Sequence, residues 1–352
     1  MEEKMLMKGN EAIGEAAIRA GCHFYFGYPI TPQSELTAYM AKKLPKIKNS
    51  AFIQAESELA AINMVYGAAA TGVRAMTSSS SPGISLKQEG ISYIACAELP
   101  CVIVNMQRGG PGLGSIQPGQ ADYFQATKGG GHGDYHLIVL APSSVQELVD
   151  LTMDAFDLAD KYTNPAMILG DGLIGQMMES VEFKERKKIN LPDKEGWTLT
   201  GCKGREKKYI VPFNLDPYKM ETLNFKIQDK YNKLKEKEVR YEKLNLDHAD
   251  LIVVAYGTVA RIVKTVISNA KKEGINIGLI RPITLFPFPE KIIAEISEKV
   301  SKFLVVEMSM GQMLEDVKLA VNGKAKVNFY GRAGGVIPTQ SEILTEIKKY
   351  LK

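Results

Sequence analysis

Three short stretches of this 352-residue chain combine residue types that could bind or activate a small polar molecule. The first, Gly27–Glu35, reads GYPITPQSE and follows the aromatic run His23–Phe26. A plain strand-to-helix connection needs one turn residue and one cap, whereas here the backbone is fixed twice, at Pro29 and Pro32, on either side of Thr31. Pro29 biases Tyr28 to an extended conformation, and Pro32 suits the first position of a helix capped by Thr31. The third helical position would then be Ser34, with Glu35 one place late for a reciprocal capping box. Thr31 would lie just outside the carboxyl end of a strand, where open α/β sheets bind ligands. An ordinary cap and a ligand-facing hydroxyl both fit these residues.

The second stretch is IQAESELAAINMVYGAAATG, in which Ser57 can cap a helix and Glu58 falls in its first turn. A first-turn Glu can simply complement the helix dipole. The helix is otherwise uncharged until Arg74, which implies burial, so a carboxyl at its start would be desolvated. A neutral carboxyl can donate a hydrogen bond as well as accept one.

The third is VNMQRGGPGLGSIQPGQAD, a strand that ends in Arg108 and is followed by five glycines between Gly109 and Gly119. Arginine suits a carboxylate through two donors, and a glycine backbone can approach a small anion closely. A surface position at a strand end fits Arg108 equally well. The phosphate-loop pattern GxxxxGK followed by Ser or Thr is absent.

Two further stretches carry weaker signals. TSSSSPGISL can be a polar strand end, Ser78–Ser81, turning into a helix at Pro82 that binds phosphate, or a plain serine-rich turn. GGGHGDYH supplies His132 and His136 with Asp134 between them, but a glycine-rich loop does not hold two imidazoles on one helical face. No metal ligands are expected there, and His132 is a candidate proton donor only.

These residues need a scaffold, and the chain alternates from residue 10 onward. Asn10 can cap a helix carrying Ile13, Ala16, Ala17 and Ile18, which stops at Gly21. Strands HFYF, SAFIQA, RAMTS, CVIVNM, LIVLAP and AMILG then alternate with helices from Thr31, over Ser57–Gly72, near Ile84–Ala97 and over Val145–Tyr162. Apolar strands separated by helices predict an α/β fold with a parallel sheet covered on both faces. Residues 1–180 form this first domain. Residues 181–248, rich in Lys and Glu, read as an inter-domain segment, partly helical near its end. Residues 249–352 resume the alternation and predict a smaller α/β domain with four strands.

The totals exclude several classes. The net charge of +4 is small and its basic residues are scattered, so no nucleic-acid partner is expected. No apolar run approaches a membrane span, and the acidic start MEEKMLMKGNEAIGEA is unlike a signal peptide, which predicts a cytoplasmic protein without a membrane partner. The four cysteines, Cys22, Cys96, Cys101 and Cys202, contain no CxxC pair. They argue against a disulfide framework, a zinc site or an internal iron–sulfur cluster, and are expected to be mostly buried reduced thiols.

Taken in order, GNEAIGEAAIRAGCHFYFGYPITPQSE, SELAAINMVYGAAATGVRAMTSSSSPG, NMQRGGPGLG, and GTVARIV with GINIGLIRPITLFPFP resemble the alpha subunits of 2-oxoacid:ferredoxin oxidoreductases, most closely the 2-oxoisovalerate (VorB) type. The resemblance spans nearly the whole chain. It implies that the first domain is the pyrimidine-binding domain of a thiamine diphosphate enzyme and that the second resembles the carboxyl-terminal domain of transketolases. By position, Glu58 would be the catalytic glutamate that hydrogen-bonds the aminopyrimidine, Thr31 and Arg108 would meet the 2-oxoacid carboxylate, and Tyr28 and Pro29 would border the cofactor. The diphosphate and Mg2+ would be held by a beta subunit, with 4Fe–4S clusters on that partner and on a ferredoxin-like gamma or delta subunit. The reaction implied is oxidative decarboxylation of a branched-chain 2-oxoacid with coenzyme A and ferredoxin; 2-oxoglutarate or pyruvate enzymes share the same motifs. LGDGLIG, at Leu169–Gly175, looks like the magnesium motif of such enzymes, but no NN pair follows, so Asp171 is not expected to bind metal.

Overall fold

The apolar runs become strands because residues buried on both faces of a sheet leave no face for water, and helices then cover them. The structure, a computed structural model, describes residues 4–186 and 189–351. In chain order its elements are β1 (Met5–Lys8), α1 (Gly9–Arg19), β2 (Phe24–Gly27), α2 (Ser34–Lys43), β3 (Ala51–Gln54), α3 (Glu58–Ala70), β4 (Ala75–Ser79), α4 (Pro82–Cys96), β5 (Val102–Gln107), α5 (Tyr123–Thr127), β6 (Ile138–Leu140), α6 (Val145–Tyr162), β7 (Ala166–Asp171), α7 (Gly172–Gln176) and β8 (Met178–Val181). There follow α8 (Pro217–Lys237), β9 (Tyr241–Leu244), β10 (Leu251–Val254), α9 (Gly257–Lys272), β11 (Ile277–Pro282), β12 (Thr284–Phe286), α10 (Glu290–Ser297), β13 (Lys302–Glu307), α11 (Met313–Val321), β14 (Lys326–Gly331) and α12 (Gln340–Leu351).

A seven-stranded sheet runs β12-β6-β7-β5-β4-β2-β3, all neighbours parallel except the β12–β6 pair. A five-stranded sheet runs β14-β13-β10-β11-β9, with β9 the antiparallel edge. β1 and β8 pair antiparallel and bring the start of α1 beside α6. The α/β class and the six expected strands of the first sheet are therefore present. Among the described residues, no helix is long and apolar enough to cross a membrane.

The two sheets are interleaved. β12, from the second half of the chain, completes the first sheet, and β9, from the lysine-rich segment, edges the second. Arg281 on β11, almost wholly buried, donates to both oxygens of Glu147 on α6 at 2.9 and 2.7 Å and to Glu242 on β9 at 2.7 Å. Gln120 is a second tie, donating to the Tyr256 carbonyl at 3.1 Å and accepting from Met308 N at 3.0 Å. The segment after residue 181 carries a helix, α8, which buries Ile227, Tyr231 and Leu234, before β9.

Three local expectations are corrected. Asn10 does not cap α1, which starts one residue earlier; its amide donates to the Pro32 carbonyl at 2.8 Å and to Glu35 at 3.1 Å. Thr31 does not cap α2, which begins at Ser34 with Gln33 as its N-terminal flank. The Gln33 side chain decides this: its Oε1 accepts from Ser78 Oγ at 2.6 Å and Thr37 Oγ1 at 3.1 Å, tying the helix start to β4. α3 is not buried all round, because Leu59, Asn63 and Gly67 form one exposed stripe. The cysteines are unpaired; Cys22 and Cys101 are buried, with burial pushing each thiol up to about 12, while Cys96 is half-buried and Cys202 exposed.

Candidate functional site

β5, β4, β2 and β3 are consecutive in the first sheet, and the expected site residues gather at their carboxyl ends. Arg108 follows β5, Ser79–Ser81 close β4, Tyr28–Thr31 follow β2, and Glu58 opens the helix after β3. Parallel strands put these ends on one edge of the sheet, so residues far apart in sequence become neighbours.

Ser57 caps α3 by accepting from Ala60 N at 3.2 Å, which leaves Glu58 free to turn inward. Glu58 is 6% exposed, and among the described residues no hydrogen bond or ion pair engages its carboxylate. It has room only because residue 83, at the start of α4, is glycine. A Cβ on Gly83 would lie 2.6 Å from Glu58 Oε1 and 2.1 Å from Ser79 Oγ. The hydroxyls of Ser79 and Ser80 are buried without partners.

Arg108 is also buried. Its Nη1 donates to the Thr31 carbonyl at 2.9 Å and its Nη2 to the Leu113 carbonyl at 2.7 Å, while Nε is buried without a partner. The Thr31 carbonyl thus reaches the guanidinium, and the exposed side chain is free of capping duty. Behind it, Arg108 N donates to Ser81 Oγ at 3.0 Å, and that hydroxyl donates to Asp122 at 2.6 Å. Asn105 donates to the same Asp122 oxygen at 2.9 Å, and burial pushes the Asp122 carboxyl above its ordinary range. Ser81 adopts φ +22, a rare conformation for a residue with a side chain, held by this network.

The glycine loop has a second purpose besides ligand approach. A Cβ on Gly109 would meet the Gly334 carbonyl carbon at 2.5 Å and Gly335 N at 2.6 Å, so the loop is seated against the second half of the chain. Ser115 Oγ donates to the Gly334 carbonyl at 3.0 Å. Leu113 and Ile116 at its tip are exposed, as are Tyr28 and Pro29.

The weaker signals resolve as structure. Asp171 caps α7, its Oδ1 accepting from Leu173 N at 3.0 Å and Ile174 N at 3.2 Å. His136 bonds the Thr127 carbonyl and stacks on Phe286 at 4.1 Å, and His132 is exposed, its carbonyl accepting from Ser92 Oγ of α4 at 2.9 Å. Among the described residues, no group of three potential ligands could hold a metal. Sequence reasoning missed Gly83 and Lys87 of α4, and read Ser79 only as part of the Ser78–Ser81 run, a phosphate-binding strand end or a plain turn. Lys87 had a visible signal: it interrupts the apolar stripe Ile84, Ile91 at helical spacing.

Buried oxygens without partners, an unoccupied arginine nitrogen and a glycine-made space fit a hydrogen-bonding heterocycle beside a carboxylate ligand. Comparison with known proteins gives the family. Residues 15–244 match the family described as "Pyruvate flavodoxin/ferredoxin oxidoreductase, thiamine diP-bdg", and residues 249–343 match "Pyruvate:ferredoxin oxidoreductase core domain II". Ketoisovalerate oxidoreductase subunit VorB of Methanothermobacter marburgensis is 51% identical over 98% of this chain and 97% of its own length. The 2-oxoglutarate synthase subunit KorA of the same organism is 39% identical over 99% of both. Among solved structures, 2-oxoglutarate:ferredoxin oxidoreductase from Magnetococcus marinus superposes with a TM-score of 0.89 at 27% identity, covering 100% of this chain and 66% of that one. A split gene transketolase shares the fold alone, with a TM-score of 0.61 at 14% identity over 98% of both chains. Matched across nearly its whole length by the family models and by relatives of up to 51% identity, the chain belongs to the 2-oxoacid:ferredoxin oxidoreductase family.

Proposed function

We propose that this chain is the pyrimidine- and substrate-binding subunit of a thiamine diphosphate-dependent enzyme that oxidises a branched-chain 2-oxoacid. The reaction converts the 2-oxoacid, coenzyme A and two oxidised ferredoxins to acyl-CoA, carbon dioxide, two reduced ferredoxins and a proton. The observation that carries this reading is Glu58, buried yet unengaged, in the space that Gly83 leaves beside the Ser79 hydroxyl. Greater identity to the ketoisovalerate relative, 51% against 39% for the 2-oxoglutarate one, supports the branched-chain substrate.

When bound, thiamine diphosphate supplies the carbanion that attacks the keto carbon and the sink that accepts its electrons. Glu58 holds a hydrogen bond to the aminopyrimidine ring and passes a proton at its carboxyl oxygen. Arg108 turns its free Nε, and Thr31 its unbound side chain, toward the 2-oxoacid carboxylate, setting the keto carbon for attack. Tyr28 and Pro29 form the rim of the cofactor site.

A beta subunit supplies the diphosphate and Mg2+ site, and 4Fe–4S clusters reside there and on a ferredoxin-like gamma or delta subunit. Apolar side chains left exposed around the site, Ile53, Leu59, Leu86, Leu113 and Ile116, support such a cover. In this division residues 1–180 bind the pyrimidine, 181–248 connect and lend β9 to the second sheet, and 249–352 form the transketolase-like domain while lending β12 to the first; the complex works in the cytoplasm.

The test is Glu58→Gln in the complex reconstituted with its partners, assayed for 2-oxoacid-dependent ferredoxin reduction. A fall of about 10²–10⁴-fold is expected, and a rate near the original overturns the assignment. Calorimetry should detect no tight magnesium-dependent binding of thiamine diphosphate to the isolated chain. Tight binding there would overturn the division between subunits.

A further inference from the structure

Lys87 is the largest unexplained polar group near the site. Its side chain is 0% exposed on the inner face of α4, between Ile84 and Ile91. Its amine donates to the Glu58 carbonyl at 3.3 Å, and among the described residues no carboxylate lies in ion-pair contact with it. A buried amine with one neutral partner is costly in its charged form, and a cation beside the amino end of α3 also opposes that helix dipole. Packing alone would be served better by Met or Leu. The negative charge of the Glu58 carboxyl favours the ammonium and opposes, without outweighing, the cost of burial.

We infer that Lys87 is a positioning residue for Glu58: its amine anchors the first turn of α3 and places a positive charge behind the carboxyl when that group gives up its proton. The inference rests on reading Glu58 as the group that faces the cofactor. In the step concerned, one proton leaves Glu58 Oε for the pyrimidine ring nitrogen, and the carboxylate that remains is stabilised by the Lys87 ammonium. The proton returns by the same path, and no other bond changes.

Burial lowers Lys87 to about 8, with Glu58 opposing that shift. Among the described residues Glu58 on α3 is the ionisable group whose charge acts on Lys87; on α4 itself Glu89 bonds Tyr93, while Arg108 and Asp122 bond Thr31 and Ser81. Lys87 is thus charged below about pH 8 and neutral above it. The stabilisation of the Glu58 carboxylate should be present below that pH and fade above it.

The experiment uses the reconstituted complex with Lys87→Met, which removes the charge at similar volume, and Lys87→Gln, which keeps a donor. For Lys87→Met we expect kcat/KM about tenfold lower at pH 7, absence of the limb that the unaltered enzyme should have near pH 8, and weaker thiamine diphosphate binding by calorimetry. Its thermal midpoint should be equal or higher, because a lone buried cation has been removed. Lys87→Gln should recover the cofactor affinity but not the pH limb. A Lys87→Met complex with unchanged pH profile and cofactor affinity overturns the inference, as does a lowered midpoint with an unchanged profile. If Glu58→Gln also stays active, the reading of Glu58 fails first; if Glu58→Gln is inactive, only the role of Lys87 falls.

Discussion

Two glutamates at strand–helix junctions show what separates a structural carboxyl from a chemical one. Glu307 ends β13 in the second sheet and is fully buried; it accepts from Met313 N at 2.9 Å, Leu314 N at 3.0 Å and Ser309 Oγ at 2.9 Å. Burial pushes Glu307 up, and these hydrogen bonds pull it back, so its capacity is consumed in capping α11. Glu58 is nearly as hidden, at 6% exposed, yet the cap of its helix is supplied by Ser57 and no hydrogen bond among the described residues engages its carboxyl. Burial alone does not mark a functional acid. Burial with unused bonding capacity does, because an unpaired buried polar group persists only where something else compensates it.

The contrast is most exposed to test by paired substitution. Glu58→Gln should lose activity by about 10²–10⁴-fold while keeping its thermal midpoint. Glu307→Gln should instead lower the stability by about 1–3 kcal/mol in urea unfolding, losing activity only as the fold is lost. Equal destabilisation by both would break the comparison.

The next largest effect is expected from Gly83→Ala. Its Cβ would enter the space between Ser79 Oγ and Glu58 Oε1, costing about 10²-fold in kcat/KM by displacing the acid. Gly90→Ala, two turns along the same helix, meets only the Ile62 side chain and should lower stability while sparing activity per folded molecule. Arg108→Lys keeps the charge but loses the planar fork that holds two carbonyls. It should raise KM for the oxoacid about tenfold, the worth of one charged hydrogen bond; unchanged saturation would remove Arg108 from the substrate site.

The smallest effect concerns the clamp between the two sheets. Burial tends to raise Glu147, but the hydrogen bonds and charge of Arg281 outweigh it and hold the carboxyl below its ordinary value of 4.5. A lowered carboxyl contributes stability that is complete above the ordinary value and is lost as pH falls through the folded one. The thermal midpoint should therefore hold from pH 7 to about 4.5 and decline below, and Glu147→Gln should flatten that decline. A midpoint that falls equally in both proteins would remove the clamp as its cause.

Much of this molecule follows from local pattern. Apolar runs such as CVIVNM and AMILG, the period of Val145–Tyr162 and the uncharged helix after Ser57 are readable because hydrophobic periodicity is a property of neighbours in the chain. Thr31, Glu58 and Arg108 were legible as candidates since each stands at a strand end. Tertiary structure decided the rest. Gln33 rather than Thr31 starts α2, because Ser78 on a strand far along the chain holds it. β12 crosses to the first sheet, and Gly83 proves to be space beside an acid 25 residues earlier. Which groups remain unpaired is likewise a property of all their neighbours at once. A residue's type and spacing determine what chemistry it can offer; only the assembled core determines whether that capacity is consumed, as in Glu307, or left free, as in Glu58.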